Sequence, residues 1–388
     1  MWTTLKNKGQ NVLDYKGEGI GYYNNTDNVE AKMTATPENT VASYTAAFVA
    51  LDDAIDSTPF ALPEAGKFYR IKSKVASRYV TAPANTGVQM IMSTETSVNN
   101  ILYLDSEKHL LVYGTGYYIN GKNHAVLGYK DTYTFEASKN GVKGALAIKP
   151  GTQNYWHDNT EKLDAYKNGT NENCDWIVEE VTTLPVTISA ASVNFNGDTK
   201  CVSTLFAPVA LVVPAGITAY IGVNEDNYLA MEPIEEGIIP ANTGVILMAD
   251  AAKTYDFAIS AEAGTAIEAG DNIIAGTVAK TIITPAANTT CYVLAKKDEK
   301  VGLYRASLNK NDGKGFINNA CKAYIPVETP GQAAPALVMR FGRGQGTTEI
   351  ELPTANGQQP TAVYDLQGRR VLNPTKGMYI VNGKKVLF

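Results

Sequence analysis

The chain has 388 residues, 44% of them hydrophobic and 19% charged, with a formal charge of −5. That length predicts two or three domains at about 150 residues each, and the acidity excludes a generic basic footprint for nucleic acid. No apolar run approaches the ~18 residues that span a bilayer, and three histidines and four cysteines leave little material for metal or thiol chemistry.

The charged fraction lies below the usual ~25%, while the 22 tyrosines are accompanied by many threonines and asparagines. A surface kept wet by hydroxyls and amides reads as that of a β-rich extracytoplasmic protein. Composition therefore favours a binding or structural role over an enzyme. No cofactor or metal is expected.

The start, MWTTLKNKGQNVLDYKGEG, contains no apolar run of the secretory kind, so an export signal is expected upstream or already removed. Residues 36–57 carry the strongest helical signal. Thr36 is the expected cap and Pro37 fits the first turn, while Val41, Tyr44, Phe48, Leu51 and Ile55 recur at three and four residues. That stripe is too short to be stable alone. It calls for a partner helix near 2–15 or 27–35, or an upstream domain. Residues 1–60 are read as a helical stub, and FALPEAG (60–66) as the linker that ends it.

From Phe68 to Val181 short strand signals recur in three units of about 40 residues. First strands are FYRIKS (68–73), LLVYGT (110–115) and ALAIKP (145–150). Second strands with an aromatic centre are SRYVTAP (77–83), GYYINGK (116–122) and NYWHDNT (154–160). Third strands follow at 88–93, 125–130 and 162–167, and the units close at 101–106, 132–137 and 175–180. Twelve strands in three units predict a β-trefoil, since three units can close around a shared core that none encloses alone. A sandwich of short strands is the competing arrangement.

FYRIKS…SRYVTA, GYYING and the closing CDWIVEEV resemble the ricin-type β-trefoil modules of Bacteroidales surface proteins, over roughly residues 64–182. Trp176 to Val181 match the Trp and aliphatic–acidic–Val ending of the last strand in those modules. The resemblance implies architecture rather than sugar specificity.

Residues 184–342 again read as strands, about nine of them, separated by turn signals such as PAG (214–216) and NDGKG (311–315). With no helical period they predict a β-sandwich. TLFAPVALVVPAGITAY (204–220), GIIPANTGVILMA (237–249) and KAYIPV (322–327) resemble a sandwich module found near the C-termini of large Bacteroidales surface proteins.

Residues 343–360 are read as a Gly/Thr/Gln/Pro-rich linker. The tail 361–388 holds three strand runs, with Asn382-Gly383 as a two-residue hairpin turn. YDLQGRRV…KGMYIVNGKKVL is similar to the C-terminal sorting domains of Bacteroidetes exported proteins. This implies export or surface-attachment machinery of the type IX kind as a partner and a location outside the cell or on its surface.

Searches for chemistry return little. His109, His124 and His157 lie in no nucleophile or zinc motif and read as surface histidines on turns. GEGIG (17–21) lacks the strand and Lys-Ser/Thr of a phosphate loop. NKNDGKG (309–315) begins like a calcium loop but has Ala320 where a bidentate Glu is required. Glu179-Glu180 and Glu235-Glu236 are chain neighbours that a strand points to opposite faces, unsuited to paired glycosidase chemistry. Cys174, Cys201, Cys291 and Cys321 have no zinc spacing. They read as buried small hydrophobes, with one disulfide among Cys201, Cys291 and Cys321 the remaining possibility.

Sugar binding needs an aromatic face and nearby amides or carboxylates. Asn154, Tyr155, Trp156, His157, Asp158 and Asn159, followed by Asp164 and Tyr166, form the densest such set. Tyr117, Tyr118, Asn120, Asn123 and His124 form a weaker counterpart in the second unit. The expected ligand contacts are Asn154, Trp156, His157, Asp158 and Tyr166, with Tyr117 and Asn123. Trp156 and Tyr118 can equally serve as apolar plugs, because they occupy matching places in the repeat. Ala82-Pro83-Ala84 stands at that place in the first unit, so three equal sites are not expected. The sequence thus predicts a mostly β protein: helical stub, ricin-like trefoil, sandwich and small β tail. Its expected role is non-catalytic glycan binding beside an upstream glycan-degrading enzyme, with a structural spacer or adhesin as the alternative.

Overall fold

The computed structural model describes residues 1–121, 126–151, 154–195, 198–225, 228–268, 270–298, 300–328, 334 and 336–341, together with the backbone of three short strands beyond 362. Three helices open the chain: α1 (Trp2–Asp14), α2 (Asp27–Thr34) and α3 (Val41–Asp56). Leu5, Val12, Val29, Leu51 and Ala54 form their common core, so α3 finds both candidate partners within the chain. The cap is Thr40 rather than Thr36: its side chain accepts from the Ser43 amide, which starts the helix four residues later than Pro37 suggests. Val41, first in the expected apolar stripe, consequently sits at the exposed helix start.

Twelve strands follow between Lys67 and Glu180. They are β1 (Lys67–Ser73), β2 (Tyr79–Thr81), β3 (Ile91–Ser93), β4 (Leu102–Leu104), β5 (Leu110–Val112) and β6 (Ile119–Asn120), then β7 (Val126–Leu127), β8 (Tyr133–Ala137), β9 (Leu146–Pro150), β10 (Tyr155–Asn159), β11 (Lys162–Tyr166) and β12 (Trp176–Glu180). Their pairing has threefold character. β1 pairs with β4, β9 with β12, and β5 meets β8 at the His109–Thr132 bridge. β4–β5, β8–β9 and β12–β1 join the units into a closed six-stranded barrel. The remaining strands form three capping hairpins, β2–β3, β6–β7 and β10–β11. This is a β-trefoil, and the competing sandwich reading of the segment is excluded by the barrel closure.

Alternation along the barrel strands explains why these residues form it. Tyr69 and Ile71, Leu102 and Leu104, Leu110 and Val112, Leu146 and Ile148, and Trp176 and Val178 all point into one core, joined by Tyr133 and Phe135. The hairpins cap that core with Val80, Ile119 and Trp156. In the second unit the plug is Ile119, not Tyr118, which is only half-buried.

The segment from Thr183 to Phe341 is a β-sandwich with an extra turn of sheet. One layer contains β13 (Thr183–Thr187), and the opposite sheet begins with β14 (Ser192–Phe195) and β15 (Asp198–Phe206). Further along come β16 (Leu211–Val212), β17 (Ile217–Glu225), β18 (Tyr228–Pro233), β19 (Ile238–Ile239), β20 (Gly244–Ala249) and β21 (Thr254–Ile259). The last part adds β22 (Ala275–Thr277), β23 (Thr281–Ile283), β24 (Thr289–Lys297), β25 (Lys300–Arg305), β26 (Phe316–Asn318), β27 (Lys322–Glu328) and β28 (Ala336–Phe341).

β13, β21, β16 and β19 form the first sheet and face β15, β20 and β17 across Leu184, Leu211, Val245, Leu247 and Phe257. The six residues of β20 are all buried. Val245 and Leu247 enter this core, while Ile246 and Met248 enter a second one with Tyr292, Leu303, Ile325 and Met339. The second sheet runs β14-β15-β20-β17-β18-β28-β25-β24-β27-β22 and curls around that second core. Its far end returns to its beginning: the Ala323 amide donates to Thr204 Oγ1 at 3.2 Å, and the Phe206 amide to the Cys321 carbonyl at 3.1 Å.

Phe68, Ile101 and Val181 on the outside of the trefoil share a core with Leu184, Val186 and Leu211 of the sandwich. Tyr113 Oη donates to the Pro185 carbonyl at 3.0 Å, and the Lys280 amide to the Gly116 carbonyl at 2.9 Å. Gly116 has φ +69°, and a Cβ there would meet Ala320 at 2.3 Å, so only glycine allows this close approach. The four cysteines are free thiols; no disulfide forms among Cys201, Cys291 and Cys321. In the tail, β29 (Val363–Tyr364), β30 (Met378–Val381) and β31 (Lys384–Leu387) make a three-stranded antiparallel sheet. The linker expected at 343–360 lies outside the described residues.

Candidate functional site

The β10–β11 hairpin carries four of the seven expected contacts, with Asn154 immediately before it, and strand parity sorts them. Trp156 and Asp158 point inward. Tyr155, His157 and Asn159 point outward and pair with Tyr166, Asp164 and Lys162 on the same face.

Trp156 is 1% exposed, packed edge-on against Tyr133 and Trp176 at 5.1 and 6.1 Å between ring centroids. Its carbonyl accepts from Trp176 Nε1 at 3.1 Å. It is the plug of the third unit, and its ring offers no face to a sugar. Asp158 is also withdrawn: its carboxylate is fully buried and accepts from Arg78 Nη2 at 2.9 Å. Both were expected contacts; burial by the period-two alternation removes them from the surface a ligand meets.

The outward face is differently furnished. The His157 ring stacks on the Tyr166 ring, 5.6 Å apart and 26° from parallel. Tyr166 remains 43% exposed. Beside them Asn159 Nδ2 donates to Asp164 Oδ2 at 3.2 Å, and Asp164 Oδ1 accepts the Ala165 amide at 2.8 Å. Tyr155 is held from behind by Gly169, whose Cβ would come within 2.8 Å of its ring. The ammonium groups of Lys139 and Lys149 lie 5.8 and 5.5 Å from the Tyr155 centroid. Glu136, hydrogen-bonded to Lys139, raises that ammonium's pKa above the ordinary lysine value, so it stays charged. Asn154 is exposed just before β10. The arrangement offers one aromatic face edged by an imidazole, an amide and a carboxylate. Tyr155, Asn159 and Asp164 belong to the face although they were not among the expected contacts; with Trp156 fixed inward, alternation assigns its chain neighbours Tyr155 and His157 to the outward face.

Tyr117 does not join this face. It packs at the trefoil–sandwich junction, with the Lys280 ammonium 5.3 Å from its ring centroid, beside a hollow of about 460 Å³ lined by Pro83, Asn99 and Tyr113. Asn123 and His124 lie outside the described residues.

One group of described side chains could hold a metal ion: Asp105, Glu107 and His109, whose ligand atoms lie within 4.8 Å of one another. His109 Nδ1 stands 3.0 Å from Asp105 Oδ2 and 3.3 Å from Glu107 Oε2. Asp105 Oδ1 accepts the amides of Glu107 and His109 at 3.0 and 2.8 Å. These bonds together close the β4–β5 turn, a sufficient reason for the cluster.

No family model matches the chain, and no curated protein matches it. Among solved structures, a ricin B-like lectin of Macrolepiota procera in complex with lactose is similar over 31% of this chain and all of its own length, at 11% identity and a TM-score of 0.27. Cry35Ab1 is similar over 69% of this chain and 88% of its own, at 10% identity and a TM-score of 0.24. The trefoil assignment rests on the strand pairing of this chain.

Proposed function

We propose that the chain is a non-catalytic carbohydrate-binding region of an exported, surface-associated bacterial protein, with one shallow site on the outward face of the β10–β11 hairpin. The observation that carries the reading is the exposed Tyr166 ring backed by His157 and bordered by Asp164 and Asn159. A sugar would lay its C–H face on Tyr166 and direct its hydroxyls to the amide and carboxylate. A single open site of this kind binds weakly. It suits retention of an upstream glycan-degrading enzyme near its polysaccharide, the role proposed here. The tail motif YDLQGRRV…KGMYIVNGKKVL supports export or surface attachment through a sorting route of the type IX kind.

Affinity electrophoresis of the full chain through gels containing neutral and acidic polysaccharides tests the site. Retardation by at least one glycan is expected, weakened about tenfold by Tyr166→Ala. Migration unaffected by every glycan, or retardation insensitive to both Tyr166→Ala and His157→Ala, overturns it.

A rigid spacer is the second reading, favoured by the apolar core that joins Phe68 and Ile101 to Leu184 and Val186. In that role the trefoil would only hold neighbouring domains at a fixed angle, and no oligosaccharide would change the protein's intrinsic fluorescence.

A further inference from the structure

The curled sheet of the sandwich leaves a cleft of about 1250 Å³ between β15, β24, β25, the segment after β25, and the start of β27. Its lining contains five basic side chains, Lys296, Lys297, Arg305, Lys310 and Lys322, and among the described residues that line it none is acidic. In a chain of formal charge −5, the described lining of this cleft carries charges of one sign only. Low-dielectric walls would focus its field and raise the local concentration of anions.

Lys322 gives the cleft a specific centre. It leaves β27 half-buried, and its ammonium donates to Ser203 Oγ at 2.9 Å and to the Thr204 carbonyl at 3.3 Å. Both acceptors are neutral. An ammonium has three protons to donate, and among the described residues no carboxylate completes the set. Burial lowers its pKa below the ordinary lysine value, the cost of holding a charge with no opposite partner. The fold secures the position regardless: Thr204 Oγ1 accepts the adjacent Ala323 amide, and Asn318 Nδ2 donates to the Lys322 carbonyl at 2.8 Å.

We propose that this cleft binds a ligand carrying an oxyanion (carboxylate, sulfate or phosphate), which Lys322 Nζ receives with its remaining proton while Arg305 and Lys310 attract it from the rim. The site lies on the sandwich and is independent of the trefoil site proposed above. Two sources share the chemistry: a free inorganic anion, and the acid groups of an acidic saccharide.

Titration calorimetry on the full chain at low ionic strength, with inorganic phosphate in one arm and trigalacturonate in the other, tests the proposal. Saturable binding is expected in at least one arm, and which arm responds identifies the source. Lys322→Met should weaken it about tenfold or more, the scale of one charge-assisted hydrogen bond. The exposed pair Arg305→Gln and Lys310→Gln, made together, should weaken it several-fold and flatten its salt dependence. That rim variant decides the matter should Lys322→Met not fold. Absence of binding in both arms, or binding that both variants keep at full strength, overturns the proposal. Tyr166→Ala must leave this binding unchanged, which separates its failure from failure of the trefoil site.

Discussion

Arg78 and Asp158 form an ion pair across the trefoil: Arg78 Nη2 donates to Asp158 Oδ1 at 2.9 Å, tying the first unit's hairpin to the third unit's. The carboxylate is fully buried while the arginine keeps 24% of its side-chain exposure. Removing the carboxylate would strand a guanidinium that can still partly rehydrate. Asp158→Ala should therefore cost on the order of 2–3 kcal/mol, less than the loss of one partner from a wholly buried pair. A lowered urea midpoint at unchanged slope is the expected readout. Under folding conditions the same variant should keep its glycan retention, because Asp158 does not reach the outward face.

Trp156 and Tyr166 should separate stability from binding. Trp156 fills the core beside Tyr133 and Trp176, and Trp156→Ala should destabilise by about 3–5 kcal/mol. Tyr166 is 43% exposed, and Tyr166→Ala should shift the urea midpoint little while reducing glycan retardation about tenfold. The reverse pattern, with Trp156→Phe losing retention at full stability, would place the ligand elsewhere.

The difference between these two residues also shows how far the sequence could be read. The twelve trefoil strands were legible because alternate positions such as Tyr69 and Ile71, or Leu146 and Ile148, are apolar in short runs punctuated by turns. The aromatic–amide cluster at 154–166 was legible as composition. Which members face outward depends on register, and only the barrel core fixes Trp156 as the inward reference. In the sandwich, about nine strand signals stand against the sixteen strands β13 to β28, because two-residue strands such as β16 and β19 are too short for alternation to mark. The curl of the second sheet was not legible at all. It arises from long-range pairing such as the parallel β18–β28 contact, for which local patterning carries no signal. The basic cleft was hidden for the same reason, since Lys322 and Ser203 are 119 residues apart.

Burial sets the reactivity of the thiols. It raises Cys174 and Cys321 to about 12 and Cys291 to about 11. The thiolate is the nucleophile, so at pH 8 no more than about one in a thousand of each is reactive. Titration of the native protein with Ellman's reagent should leave these three unmodified, and unfolding in urea should release all four. Rapid native labelling of Cys174, Cys291 or Cys321 would contradict the burial of these three side chains.

Lys322 should reveal itself through the pH dependence of stability. Its pKa is lowered in the folded protein, chiefly by burial, from an ordinary value of 10.5. Between the lowered value and 10.5 the unfolded chain binds more protons than the folded one, so stability rises with pH across that window. Below the window both states are charged and the full penalty of the buried ammonium is felt. Lys322→Met removes that charge with little change in volume. It should raise the urea midpoint at pH 7, and the advantage over the parent should shrink as pH climbs toward 10.5. Saturating a bound oxyanion should narrow the same gap at pH 7, since a ligand that binds only the folded parent stabilises it by mass action. A Lys322→Met variant that is less stable than the parent at every pH would mean that the bonds to Ser203 and Thr204 outweigh desolvation.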